Sequence, residues 1–362
     1  MAKAKVAVGM SGGVDSSVAA LMLLEQGYDV FGVTLRVLPP LSAPYDIEKD
    51  ESVLRARAVA KRLGIEHHVA VCDDAFTKEV LGRCHCDFSQ ARTPNPCCYC
   101  NRYVKFGWMM DFAFARGADF LSTGHYVEIK ELQGTRRLFR GKDSAKDQSY
   151  FLFGVDDERR SRVITPLGSL TKSEVRAIAA EHGFENASAS DSQDICFDIY
   201  GKDYTDFLEG RFGPMTRPGN FVTEEGKILK SHEGYHRYTV GQRKGLGVAL
   251  GVPAFVQCVN PVTGDIVVTA DKSAVSASEV RIENCVWHGI NPATNAAYSA
   301  GDTFECEGMV RYRQRAVKCT VKILDGGSAL AQFEQPLFAV TPGQCAVFYD
   351  GDMVLGGGWI RK

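Results

Sequence analysis

The chain reads as an α/β protein whose first half is a doubly wound parallel sheet, followed by a small β-rich piece and a C-terminal β-barrel. Three observations predict this. Short β-branched runs alternate with amphipathic helical stretches up to about residue 198, the texture of repeated βαβ units. Past "ICFDIYGKDYTDFLEGRF" the chain turns to short strands punctuated by Gly and Pro. From about residue 280 onward, strand-length runs alternate apolar and polar residues with turn signals between them, which fits a small barrel.

Taken in order, "KVAVGM" is a first strand, "SSVAALMLLEQ" a helix and "DVFGVTL" a second strand. "SVLRARAVAKRLG" is a helix closed by glycine, and "EHHVAVC" is a third strand. "ADFLSTGHYV" is a strand running into a loop, and "TKSEVRAIAAEHG" is a capped helix that glycine ends. Ligands on such sheets sit beyond the carboxyl ends of the strands. Residues 199–280 make a separate central module, and "FECEGMVRYR", "AVKCTVKIL", "ALAQFEQ" and "QCAVFYDGDMVLGGGWI" are the strands of a barrel over 281–362. No repeat or low-complexity tract interrupts this order.

At 362 residues and 45% hydrophobic, the chain can fill two or three domains. Its 42 Lys+Arg against 44 Asp+Glu leave a net charge of −2, so any nucleic-acid contact must come from local patches. No apolar run is long enough to span a bilayer. "MAKAKVAVGMSGG" enters a strand and a glycine loop directly, without an apolar signal core, so a cytoplasmic location is expected. Twelve cysteines in a reducing compartment are read as metal-binding, catalytic or buried rather than as a disulfide framework. Cys72, Cys258, Cys285, Cys306, Cys319 and Cys345 lie in apolar or strand-like stretches, where burial is their expected role.

"VAVGMSGGVDSSVAAL" is a strand, a glycine loop and a helix. Gly12 and Gly13 let backbone N–H groups turn inward, and Ser11, Ser16 and Ser17 add hydroxyls beside the helix N-terminus. Together they form an anion cradle, although any strand-to-helix turn carries glycine readily. The loop lacks the ending of a Walker loop and the spacing of a dinucleotide fold, which argues against kinase, GTPase and dehydrogenase readings.

Ser-Gly-Gly-x-Asp-Ser resembles the pyrophosphate loop of ATP pyrophosphatases, which implies adenylation of a substrate oxygen. Further strings accompany it: "TPNPCCYCN", "TGHY", "KDQSYFL", "PLGSLTKSEVRAIA", "DSQDICF", "YTVGQRKGLGV" and "VTPGQCAVFYDGDMVLGGGWI". This set resembles the tRNA-specific 2-thiouridylase family over almost the whole chain. The resemblance implies an adenylation and thiolation domain of ATP-pyrophosphatase type over 1–198, a small central domain over 199–280, and a tRNA-contacting barrel over 281–362. It implies that ATP with Mg²⁺ is held by Gly9, Met10, Ser11, Gly12, Gly13, Val14, Asp15 and Ser16, with Leu35 and Gly124 near the adenine. Leu35 stands where the family is expected to have Met, and either packs on a base. Asn95, Pro96, Cys97, His125, Asp147, Gln148, Ser149, Arg311, Tyr312 and Gln344 match positions that touch tRNA. Read on its own, His125 is a hydrogen-bonded structural histidine. Lys142, Lys146, Arg311, Arg313 and Arg315 supply local positive charge for phosphate, or else form solvated faces. tRNA and a sulfur donor, such as a cysteine desulfurase or a relay protein, are the implied partners.

The family resemblance pairs Cys100 with Cys196. Cys196 would carry the incoming sulfur as a persulfide, and attack by Cys100 would deliver it to C2 of the adenylated wobble uridine, leaving a disulfide to be reduced. Cys97 stands where many members have Asp, a candidate base, and makes C-x-x-C with Cys100. Cys97, Cys100 and Cys196 could therefore hold three irons of a [4Fe–4S] cluster. Structural zinc is a third reading, because Cys84, His85 and Cys86 lie just upstream. All three stay open at this point. Another adenylating ligase or amidotransferase with the same loop would need neither a cysteine pair nor a basic barrel. A non-catalytic tRNA- or metal-binding protein would not need an intact "SGGVDS".

Overall fold

The computed structural model describes residues 3–37, 46–187, 204–248 and 251–361. In chain order its elements begin with β1 (Lys5–Gly9), α1 (Val14–Glu25), β2 (Asp29–Arg36), α2 (Glu51–Leu63), β3 (Glu66–Val71), α3 (Asp73–Phe76) and α4 (Arg83–Ser89). Next come α5 (Pro96–Tyr99), a π-helix (Cys100–Met109), α6 (Met110–Phe114), β4 (Phe120–Thr123), β5 (Val127–Leu132) and β6 (Thr135–Arg140). They are followed by α7 (Ser149–Leu152), α8 (Asp157–Arg160), β7 (Val163–Ile164), α9 (Lys172–Glu181), α10 (Tyr204–Phe212), β8 (Gly219–Val222), β9 (Ile228–His232), β10 (Phe255–Val259) and β11 (Ile266–Thr269). The rest is β: β12 (Ser276–Trp287), β13 (Ile290–Asn291), β14 (Ala296–Ala297), β15 (Thr303–Met309), β16 (Val317–Leu324), β17 (Ser328–Phe338), β18 (Cys345–Asp350) and β19 (Met353–Arg361). One unit draws on Met1–Val80, Cys97–Asp198 and Asp352–Val354, the other on Leu81–Pro96, Ile199–Gly351 and Leu355–Lys362.

The first unit holds a parallel sheet in the order β3-β2-β1-β4-β7. Its central strand β1 buries Val6, Ala7 and Val8 completely, as a strand covered on both faces must. The helices form for local reasons. Asp50 caps α2 by accepting from the N–H groups of Ser52 and Val53, and Gly64 closes it in the left-handed region at φ 68°. α9 opens on a reciprocal capping box between Thr171 and Glu174. α1 buries Val14, Val18, Ala19, Ala20, Leu21 and Leu23, and this apolar set shares one core with Val6, Val8, Leu167 and Val175. The sheet order reverses at β1, so the loop after β1 opens at a switch point beyond the carboxyl ends of the strands.

In the second unit, β10-β11-β8-β9 form a small sheet over a core of Phe221, Tyr235, Val256, Ile266 and Val268. The final sheet runs β12-β17-β16-β15-β18-β19, and β12 pairs with β19 to close it. Closure removes the open edges that an antiparallel sheet otherwise exposes. β16 shows the expected alternation, with Cys319, Val321 and Ile323 facing inward between exposed neighbours. "FECEGMVRYR" is only partly strand: β15 ends at Met309, and residues 310–316 form the turn into β16. Arg313 adopts φ 63° within this turn.

Candidate functional site

The loop between β1 and α1 is held from behind. Met10 donates its N–H to Val33 O (2.8 Å), and Thr34 Oγ1 donates to Met10 O (2.8 Å). Gly12 takes φ 73°, and a Cβ there would lie 2.6 Å from Cβ of Arg55, so only glycine fits. Asn186 Nδ2 donates to Gly12 O (2.8 Å) and to Ser17 Oγ (3.2 Å). Ser16 and Ser17 turn their hydroxyls back onto Gly13 O at 3.0 and 2.9 Å. Gly13 is the N-cap of α1 and brings no side-chain cap, so the first-turn N–H groups keep their donor capacity for a ligand. That donor set, on a helix of twelve residues, suits the phosphates of ATP.

Asp15 in this first turn is clamped by residues far away in the chain. Lys172 Nζ lies 2.7 and 2.8 Å from its two carboxylate oxygens, and Tyr126 Oη donates to Oδ1 at 2.6 Å. Lys172 is the first residue of α9, at the positive end of a helix dipole where a cation is disfavoured; the Asp15 carboxylate offsets that. Gly124 packs against the same turn, since a Cβ there would lie 2.9 Å from Asp15 C and Ser16 N. Leu35 is half-buried near the carboxyl end of β2. Glu174, which chelates Lys142 at 2.9 and 3.0 Å, is pulled down to about 2, first by the Thr171 N–H and then by Lys142.

Cys97 lies in α5 and Cys100 opens the π-helix three residues later, both half-buried, while Cys98 is buried. Residues spaced by three on a continuous helix are neighbours on its surface. π-helical segments are rare and concentrate at functional sites. α3 packs against this helix, and Cys72, its N-cap, donates its thiol to Arg36 O at 3.4 Å. Burial pushes the Cys72 thiol up to about 12, and the nearby Cys100 adds to the effect. Cys196 lies outside the described residues.

The structure does not bring Cys84, His85 and Cys86 together. The three are consecutive in α4, so their side chains diverge: Cys84 is buried, Cys86 is exposed and His85 hydrogen-bonds Gly213 O at 3.2 Å. Among the described residues, no group of three or more His, Cys, Asp or Glu side chains converges to hold a metal ion.

Comparisons with known proteins fit this geometry. Residues 4–199 match a family profile described as a tRNA methyl transferase HUP domain, 205–270 its PRC-barrel domain, and 277–360 an aminomethyltransferase β-barrel domain. The chain is 39% identical to the tRNA-specific 2-thiouridylase MnmA of Carboxydothermus hydrogenoformans, covering 99% of this chain and 98% of that one. It is 43% identical to the 2-thiouridylase of Heliobacterium modesticaldum, over 99% of this chain and 93% of the relative. The chain belongs to the tRNA-specific 2-thiouridylase family.

In this 2-thiouridylase the residues matched to tRNA contacts fall into two groups. Arg311 is exposed and Tyr312 half-buried on the turn between β15 and β16, where the unmatched Arg313 and Arg315 are exposed as well. The others are spent largely on the protein itself. Asp147 accepts from Gly141 N–H, Ser149 N–H (both 3.1 Å) and Ser149 Oγ (2.9 Å), and Gln148 Oε1 accepts from Tyr126 N–H (3.0 Å). Asp147 also lines a cavity of about 250 Å³ with Glu128, Arg140, Gly141, Lys142 and Ser144. Gln344 Nε2 donates to the carbonyls of Thr93 (3.0 Å) and Pro94 (3.1 Å), just before the buried Asn95 and half-buried Pro96. His125 is buried, with Nδ1 2.7 Å from Thr123 Oγ1. Burial first, and then Lys105, hold its imidazole well below the usual range, so it is neutral.

Sequence reasoning did not single out Lys172, Tyr126 or Asn186. Lys172 and Tyr126 sit inside quoted strings, "PLGSLTKSEVRAIA" and "TGHY". The signal that could have marked Lys172 is its charge, wrong for the first residue of a helix.

Proposed function

We propose that this enzyme carries out ATP-dependent 2-thiolation of the wobble uridine of tRNA, adenylating the C2 oxygen and then replacing it with sulfur. The observation that carries the reading is the uncapped N-terminus of α1 behind Gly12 and Gly13, with Asp15 clamped by Lys172 and Tyr126. The α1 amides hold the phosphates, and the uridine oxygen attacks the α-phosphorus, expelling pyrophosphate. Mg²⁺ arriving with ATP supplies neutralisation of the phosphate charge. In the sulfur step, Cys100 thiolate attacks the Sγ of a Cys196 persulfide, and the terminal sulfur leaves as hydrosulfide. Hydrosulfide adds to C2 and expels AMP, and the Cys100–Cys196 disulfide then takes two electrons from a thiol reductant. The described cysteines are all unbridged, which suits a reducing cytoplasm. No helix among the described residues is long and apolar enough to cross a membrane. A cysteine desulfurase or relay protein supplies the persulfide. Domains over 1–198, 199–280 and 281–362 divide the work between adenylation with sulfur transfer, connection, and tRNA binding. Arg311 and Tyr312 make direct tRNA contacts, whereas Asn95, Pro96, His125, Asp147, Gln148, Ser149 and Gln344 shape the surfaces around them.

A second reading keeps the same reaction but replaces the persulfide with a [4Fe–4S] cluster on Cys97, Cys100 and Cys196. It rests on the adjacent, half-buried Cys97 and Cys100, and a cluster would supply an open iron for hydrosulfide. The test is anaerobic purification of Cys97→Ser, Cys100→Ser and Cys196→Ser. Under the relay, the last two lose thiouridine but keep tRNA-dependent pyrophosphate release, and Cys97→Ser is only slowed. Under the cluster, all three lose thiolation together with iron. A thiolating Cys100→Ser enzyme would overturn both.

A further inference from the structure

We propose that Cys306 and Cys319 form a dithiol site that a small disulfide oxidant converts to a cross-strand bond, clasping the base of the arginine-bearing turn. The two residues stand directly opposite each other in the antiparallel pair β15–β16. Their sulfurs are 3.6 Å apart. Directly opposed residues in such a pair have Cα atoms about 4.5–5.5 Å apart, inside the range of about 4.4–6.8 Å that a disulfide requires. Closing the bond therefore needs the sulfurs to approach by about 1.5 Å, a side-chain adjustment. Both strands are fixed by neighbours on their other edges, β17 beside β16 and β18 beside β15, so the pair is held in register.

Position gives the site its meaning. Beyond Cys306 and Cys319 only the pairs Glu307–Lys318 and Gly308–Val317 remain before the ladder ends. The turn that follows carries Arg311, Arg313 and Arg315, all exposed. A covalent tie two pairs below the turn fixes where its ends emerge. The reduced form is the resting state. Cys319 is 4% exposed, and its hydrogen bond, burial and the Asp350 and Glu307 carboxylates hold the Cys306 thiol far above the usual range. Thiolate is scarce, so closure is slow and needs sustained oxidant. The exchange balances in two steps. Cys306 thiolate attacks one sulfur of the oxidant RSSR and releases RS⁻; Cys319 thiolate then attacks Cys306 Sγ and releases the second RS⁻. The protein loses two protons and two electrons, and RSSR becomes two RSH.

The experiment uses the full-length protein incubated with oxidised glutathione, then blocked with an alkylating agent. Cleavage after Glu305 and Glu307 isolates Cys306, and trypsin cleavage after Lys318 releases Cys319 in a separate peptide. The expected result is a linked pair of these peptides, absent after reduction and absent from Cys306→Ser. Hydrogen exchange of the amides in 310–316 should become several-fold slower in the oxidised protein. Recovery of the two cysteines only as free thiols or as glutathione adducts would overturn the proposal. So would a linked pair with unchanged exchange in the turn, since the bond would then clasp nothing.

Discussion

Lys172 occupies the end of a helix where a cation is least favoured, and its nitrogen is spent on both oxygens of Asp15. Its side chain is only 11% exposed, so removing it leaves Asp15 with Tyr126 as its remaining short partner. Lys172→Met is expected to lower tRNA-dependent pyrophosphate release by on the order of a hundredfold, the scale of loss when one preorganised donor is taken out of a catalytic site. A retained rate in a pyrophosphate assay would remove Lys172 from the site. His125 makes a pH prediction. Its folded imidazole stays neutral well below the ordinary 6.5, whereas the unfolded chain takes up a proton as pH falls past that value. Unfolding free energy should be level in this term above about pH 6.5 and decline below it. His125→Gln should flatten that decline in denaturant titrations. The glycines and serines of "SGGVDS" were legible because an anion cradle is built from consecutive residues. Lys172, Tyr126 and Asn186 were not, because each reaches the loop across more than a hundred residues, and no local pattern records such a convergence.

Among elements, the βαβ texture of the first half and the alternation of the barrel strands were readable because burial on one or both faces writes a period into the sequence. The π-helix was not: "CNRYVKFGWM" has no signal for a widened turn, which depends on outside partners such as Arg159, bonded to the carbonyls of Phe106 and Gly107 at 3.1 Å each. Two substitutions test the proposed division between elements that meet RNA and elements that support them. Arg311→Ala, on the exposed turn, should weaken tRNA binding and flatten the salt dependence by about one phosphate contact without changing the melting temperature. Gln344→Ala removes the donors from Thr93 O and Pro94 O, so it should cost about 1–3 kcal/mol of stability and lower the melting temperature. Its salt slope should match the parent's. Titration of tRNA at several salt concentrations, beside thermal melts, checks both.

For the molecule as a whole, residues 81–96 fold with the second unit although they interrupt the first in sequence. Thr93 N–H bonds Pro342 O at 2.8 Å, and Tyr235 Oη bonds Ser89 O at 2.9 Å. On the 81–96 side both ties are made by backbone atoms, which every residue possesses, so the side chains of that stretch do not announce them.

The hold of Asn186 on Gly12 also sets a leash. Cys196 lies ten residues beyond Asn186, and a fully extended chain covers at most about 3.6 Å per residue. The Cα of Cys196 can therefore lie no farther than about 36 Å from the Cα of Asn186, the residue fastened to the ATP loop. If Cys196 delivers the sulfur and its tether acts by confinement, delivery is a search within that sphere, with the local concentration set by tether length rather than by how much enzyme is present. Inserting ten Gly/Ser residues after Ala187 doubles the leash. If the tether acts only by confinement, single-turnover thiolation should slow by about threefold, as the −3/2 power of length requires, with pyrophosphate release unchanged. A complete loss of thiolation would mean that the arm is a shaped part of the site rather than a cord.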